Sequence, residues 1–171
     1  MKIMELAGII KEKFEKSILS SSVFYDNETI VIRKEDVFDV IKFLKDEQSF
    51  DFLMDVTAVD YKGYPDRNDE TRFEIVYNLF SYKNNKRLII KTLVDEKDLT
   101  VNSITSLYHS ADWHEREVYD MFGIKFINHP NLKRILMYDE FVGHPLRKDY
   151  PFKKRQPRIN LRDVGKNEEE E

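Results

Sequence analysis

The sequence predicts an α+β fold in two layers, helices packed on a mainly antiparallel or mixed sheet, with an extended C-terminal tail. Residues 3–18 and 35–47 repeat apolar side chains at helical spacing. Residues 50–95 alternate apolar and polar side chains at strand spacing in three runs. Beyond residue 127 short apolar clusters never reach the length of an element. Domain boundaries follow at 1–127 for the folded unit and 128–171 for the extended segment.

In the first run, Ile3, Leu6, Ile10, Phe14 and Ile18 share a helical stripe, interrupted by Glu5, Lys11, Glu12 and Lys13. This is an amphipathic helix and not a signal peptide, whose apolar centre runs about 7–15 residues. Residues 23–34 read as a hairpin with Asp26-Asn27 at the turn. In the second helical run Val37, Val40, Ile41 and Leu44 form the stripe, with acids at its start where the helix dipole favours them. The first strand run sets Phe52, Met54, Val56 and Ala58 against Leu53, Asp55, Thr57 and Val59; the second sets Phe73, Ile75, Tyr77 and Leu79 against Glu74, Val76, Asn78 and Phe80. A tight turn at residues 83–86 joins it to a third strand over residues 87–95. The loop at 62–71, rich in acids, Gly, Pro and Asn, is a surface excursion. Helical spacing returns at Ile104, Leu107, Tyr108 and Ala111, then Val118, Met121 and Phe122, with Ser103 placed to cap an early turn and Gly123 to end the helix.

At 171 residues one core is expected, burying roughly two thirds of the unfolded chain's surface. Charged residues make up 35%, against about 25% in an average domain, which points to polar contacts with partners. A net charge of -4 argues against general nucleic-acid affinity. The absence of cysteine excludes disulfides, zinc–thiolate sites and iron–sulfur ligation by this chain. No run approaches the roughly 20 apolar residues of a transmembrane helix, so a soluble, cytoplasmic protein is expected. Nucleotide-cradling glycine motifs and the serine-hydrolase elbow are absent from the sequence.

Asp112, Arg116 and Asp120 recur every four residues, a ladder in which Arg116 can pair both ways, with Glu115 and Glu117 to either side. Trp113, Tyr119, Met121 and Phe122 surround it. A solvated face and a shielded network both remain open. The histidines His109 and His114 are five apart, which misses the spacing of a zinc helix, so a metal-dependent enzyme built on His109, His114, Glu115 and His129 is a distant alternative. His129 and His144 precede prolines and read as turn residues.

Residues 143–158 hold six Lys or Arg, one Asp and three prolines, with no hydrophobic period. With the terminal acids disfavouring RNA and anionic lipid, docking in extended form to an acidic protein surface is the preferred reading. The 29 residues from Gly143 onward reach on the order of 90 Å when extended.

The run ADWHEREVYDMFGIKFINHPNLKRILMYDEFVGHPLRKDYP, residues 111–151, resembles the signature region of the 30-kDa subunit (the C subunit) of proton-pumping NADH:quinone oxidoreductase, respiratory complex I. FLMDVTAVDY and RFEIVYNLFSY resemble two strands of that family. The resemblance implies a non-catalytic peripheral-arm subunit with no cofactor of its own; FMN, iron–sulfur clusters and quinone belong to partner chains. It implies the 49-kDa-like D subunit and the 20-kDa-like B subunit as partners, with membrane contact only through the complex. It also implies a place on the cytoplasmic side of a bacterial plasma membrane, in the form not fused to the 49-kDa-like subunit. Asp112, Glu115, Arg116, Glu117 and Asp120 are then a structural network. His144, Pro145, Leu146, Arg147, Lys148, Asp149, Tyr150, Pro151, Arg155 and Arg158 form the contact with the 49-kDa-like subunit, centred on Arg147, Lys148 and Asp149. The equivalent subunit of a ferredoxin- or F420-linked dehydrogenase, or of an energy-converting hydrogenase, is the alternative.

Overall fold

A computed structural model of the chain describes residues 5–25, 27–65 and 71–157. The elements run α1 (Glu5–Lys13), β1 (Ile18–Phe24), β2 (Asn27–Ile32), a 3-10 turn (Lys34–Asp36), α2 (Val37–Asp46), β3 (Phe52–Asp60), β4 (Phe73–Ser81), β5 (Lys86–Val94), β6 (Thr100–Asn102), α3 (Ala111–Phe122) and β7 (Lys125–Ile127). Five strands form one sheet in the order β1-β2-β5-β4-β3. The β1–β2 hairpin and the β3–β4–β5 meander are antiparallel, and the parallel β2–β5 pair joins them into a mixed sheet. β6 and β7 make a second, parallel two-stranded sheet that sequence periodicity did not reveal, because three residues are too few to show alternation.

One face of the large sheet supplies Ile30, Ile32, Val56, Phe73, Ile75, Tyr77, Leu79, Leu88 and Ile90 to a single core. Against it pack Leu6 and Ile10 of α1, Val40, Ile41 and Leu44 of α2, and Val118, Met121 and Phe122 of α3. The expected α2 stripe is buried as read, with Phe43 added to it. α1 is fixed from below by Glu28 of β2, whose carboxylate accepts the Ala7 N–H at 3.2 Å and the Leu6 N–H at 3.5 Å. A buried anion at a helix N-terminus satisfies orphan donors and complements the helix dipole.

Four local expectations are corrected. Ile18 belongs to β1, because α1 ends at Lys13 and a turn intervenes. Phe24 faces Asn27 across the first hairpin, so the positive φ of 46° falls on Tyr25, while Asn27 is already strand. β3 carries a bulge between Leu53 and Asp55, and this one-residue slip puts Leu53 inside with Val56 and Ala58 while Phe52 and Met54 face out. Helix α3 starts at Ala111; residues 103–110 make only two separate turns, one with the Leu107 and Tyr108 N–H groups donating to the Ile104 carbonyl and one with the Ala111 N–H donating to the Tyr108 carbonyl.

Candidate partner-binding site

An α-helix leaves its last four carbonyls without intrahelical donors. In α3 each of the four is met. Gly123, in the left-handed conformation at φ 78°, donates its N–H to the Tyr119 carbonyl. His144 Nδ1 lies 2.9 Å from the Asp120 carbonyl, the Leu146 N–H donates to Met121 O at 3.1 Å, and Arg147 Nε donates to Phe122 O at 2.6 Å. The segment 144–147 is therefore the C-terminal cap of α3, and a guanidinium placed there also complements the negative end of the helix.

The Asp120 side chain works in the same direction. Wholly buried, its Oδ2 accepts the N–H groups of Ile135, Leu136 and Met137 at 2.8–3.1 Å, and Arg134 pairs with Oδ1 while reaching Gly143 O at 3.0 Å. Burial alone would raise the Asp120 carboxyl; the Met137, Leu136 and Ile135 N–H groups and Arg134 outweigh it and hold the carboxyl below its ordinary value.

A second anchor sits at the end of β3. The Arg72 side chain, 1% exposed, forks onto Asp60 through Nε–Oδ1 at 2.8 Å and Nη2–Oδ2 at 2.6 Å. Its Nη2 and Nη1 also reach both oxygens of Asp149 at 2.7 and 3.1 Å, and Nη1 meets Glu96. Asp60 takes the Lys148 backbone N–H at 2.8 Å, and Lys62 closes on Asp149 at 2.9 Å. The hydrogen bond from Arg72 holds Asp149 well below the usual carboxylate range, and the bonds Arg72 donates to Asp60 raise Arg72 against its burial. Removing one member of such a buried pair leaves an uncompensated charge at a cost of about 3–5 kcal/mol.

Between these anchors and residue 157 the chain folds back on itself. The side-chain amide of Gln156 bonds both the N–H and the carbonyl of Val142 at 2.9 and 3.2 Å and also meets the Tyr150 hydroxyl, and Tyr138 Oη donates to Pro157 O at 2.7 Å. Tyr150 stacks on Phe141, and Lys154 lies over Tyr150 while its N–H closes a turn onto Pro151 O at 3.0 Å.

The ladder expected on α3 is replaced by contacts to residues 128–137. Arg116 donates to the Lys133 and Arg134 carbonyls at 3.1 Å each, and Asp112 meets His129, whose Nε2 lies 3.2 Å from the Asp112 carbonyl. Glu117 is exposed. Glu115 points inward, fully buried, accepting Ser103 Oγ at 2.7 Å and the Ile104 N–H at 2.8 Å. Ser103 Oγ thus serves two groups: it donates to the Glu115 carboxylate and, as expected of a residue capping an early turn, accepts the Thr105 N–H at 3.1 Å. Burial pushes Glu115 up to about 7; its two donors oppose the shift and Asp112 adds to it.

The residues proposed for a metal enzyme are not gathered: His114 pairs with Asp55, Glu115 with Ser103, and His129 with Asp112. Among the described residues no group of three His, Asp or Glu is placed to hold a metal ion.

Of the residues expected at the subunit contact, His144, Arg147 and Asp149 turn their side chains onto this chain's own groups, and Tyr150 packs on Phe141. Pro145 is half-buried beside them, while Leu146, Lys148, Pro151 and Arg155 are exposed. Arg158 lies outside the described residues. Sequence reasoning missed Asp60, Arg72 and Arg134. Asp60 was within reach: it continues the parity of the apolar Val56 and Ala58, and an acid on the buried phase of a strand demands a cation.

The family model described as "Respiratory-chain NADH dehydrogenase, 30 Kd subunit" matches residues 30–156. A curated relative from Citrifermentans bemidjiense, the C subunit of an NADH-quinone oxidoreductase, is 49% identical over 142 residues, 83% of this chain and 85% of that one. From Bdellovibrio bacteriovorus, a combined C/D subunit of NADH-quinone oxidoreductase is 41% identical over 98% of this chain and 29% of its own length. Among solved structures, the chain described as "Nqo5 of the trypsin-resistant fragment (1-134)" superposes with a TM-score of 0.64 at 33% identity, covering 74% of this chain and 98% of that one. A chain of the archaeal membrane-bound sulfane sulfur reductase shares the fold, with a TM-score of 0.73 at 22% identity over 89% of this chain and 87% of that one. The chain belongs to the 30-kDa subunit family of the respiratory-chain NADH dehydrogenase and is similar to C subunits of NADH-quinone oxidoreductase.

Proposed function

We propose that this protein is a non-catalytic scaffold of the quinone-reducing module, bound to a 49-kDa-like D subunit through its strap, residues 144–157, with a 20-kDa-like B subunit in the same module. The observation that carries this reading is the contrast within the strap. His144, Arg147 and Asp149 hold it to the domain, while Lys148, Lys153, Lys154 and Arg155 are exposed on a loop fixed by hydrogen bonds. A fixed loop loses little conformational entropy on docking, and clustered cations steer it to an acidic surface. The combined C/D subunit of Bdellovibrio bacteriovorus supports the choice of partner, since one polypeptide there carries both names.

A chain without cysteine offers no thiolate to an iron–sulfur cluster, and the family resemblance implies that clusters, FMN and quinone belong to partner chains. No helix among the described residues is long and apolar enough to cross a membrane, and attachment through the other subunits on the cytoplasmic side follows from the same reading.

The double variant Lys153→Glu/Arg155→Glu tests it, because neither side chain takes part in the anchors. Assembled complex and its quinone reductase activity, measured in membranes, are expected to fall about tenfold. The purified variant chain should keep its thermal midpoint, as surface substitutions stay within about 0.5 kcal/mol. Full assembly of that variant would sink the docking role.

A further inference from the structure

Phe152 is 99% exposed, more than any other large apolar side chain of the described residues. An aromatic ring so open is ordinary on a loose tail, but this one is held out by a built support. It occupies the second position of the turn that Lys154 N–H closes onto Pro151 O at 3.0 Å. Behind the turn, Gln156 ties both backbone groups of Val142, Tyr138 ties Pro157, and Tyr150 stacks on Phe141 at 6.0 Å between ring centres. Gly143 is part of the seat, since a Cβ there would lie 2.9 Å from the Tyr150 ring. Every other aromatic of this loop is folded onto the chain, and Phe152 alone is left outside.

We propose that Phe152 is the anchor of the docking surface, a ring that enters an apolar socket rimmed by carboxylates on the 49-kDa-like partner. This rests on the docking reading above and names the chemistry of that contact. Aromatic side chains dominate interface energetics when they fill a desolvated pocket, and a ring held in place beforehand loses little rotamer freedom on entry. The flanking Lys153, Lys154 and Arg155 set the charge of the rim: cations beside the ring match acids around the socket and repel a basic one.

The test is the affinity of the full chain for the 49-kDa-like subunit of the same organism, both purified, with Phe152→Ala and Phe152→Leu beside the double variant Lys153→Glu/Arg155→Glu. The anchor predicts that Phe152→Ala weakens binding by about 10- to 100-fold. Phe152→Leu should stay within a few-fold of the native chain, with thermal midpoints unchanged throughout. If the double variant weakens binding and Phe152→Ala does not, docking stands and the anchor is overturned. If none of them weakens it, both readings fall together. Flotation with vesicles of phosphatidylcholine and phosphatidylglycerol separates a lipid role. Loss of vesicle binding in Phe152→Ala, with partner affinity intact, would assign the ring to a membrane surface and overturn the proposal.

Discussion

Glu115 carries a charge that its surroundings oppose. The unfolded carboxyl titrates near 4.5, whereas burial pushes it up to about 7 in the fold. Between those values the folded chain holds a proton that the unfolded chain has lost. The stabilising contribution is complete below pH 4.5 and declines as pH rises through 7, by on the order of 3 kcal/mol in total. His144 has the opposite sign: burial, with the Arg147 and Arg134 charges, lowers its titration below the ordinary 6.5. Its contribution is present above that value and lost as pH falls through the lowered one. Asp60, Asp120 and Asp149, all depressed from 3.8, keep theirs until the solution is more acid still. The pH dependence above neutrality is thus free of these aspartates, while between mildly acid and mildly basic solution Glu115 lowers stability as pH rises and His144 raises it. Glu115→Gln is expected to unfold in more urea than the native chain at about pH 8 and in nearly the same urea at about pH 5. An unchanged pH dependence in the variant would show that Glu115 is not the group responsible.

At the scale of elements, Gly123 links the end of α3 to what lies on it. Its φ of 78° favours glycine, and a Cβ there would also meet Arg147 Nη2 at 2.5 Å and the His144 ring at 2.6 Å. Gly63 has a φ of 75° but open space around it. Gly123→Ala should therefore lower stability by about 2–4 kcal/mol and Gly63→Ala by about 1 kcal/mol, read from urea midpoints. Equal losses would mean that the two side chains move aside without cost. The helix end at Gly123 was legible in the sequence because a cap is a local property. What sits on it was not, because His144 and Arg147 arrive from more than twenty residues away and nothing in their spacing encodes the contact. The same division holds for the strands. The Phe73, Ile75, Tyr77 and Leu79 parity of β4 survives intact, whereas β3 and β1 each carry a bulge, beside Met54 and Leu19, that alternation cannot announce. Both bulges fall on the edge strands of the sheet, where they interrupt the row of free backbone groups that would otherwise template pairing with another chain.

For the molecule as a whole, the strap and the domain stabilise each other, and this decides how a partner can use the strap. The described residues show no break at 127/128: Asp120, Arg72 and Asp60 on one side are bonded to Arg134, Asp149 and Lys148 on the other. The Nqo5 trypsin-resistant fragment adopts the same fold while covering 74% of this chain. The core lies wholly before residue 143, so a chain ending at Val142 is expected to fold. It would lose the donors to the Asp120, Met121 and Phe122 carbonyls and the Asp149 fork on Arg72. Water replaces part of these, and Asp60 and Glu96 remain on Arg72, so each lost bond is worth about 1 kcal/mol net. With five bonds lost, the expected loss is about 5 kcal/mol, measured as the difference in urea midpoint between residues 1–142 and the full chain. Identical midpoints would show that the strap lies on the domain without holding it. With the expected loss, a partner that peeled the strap away would have to supply that free energy from its own contacts, whereas one that binds the exposed cations and Phe152 in place does not.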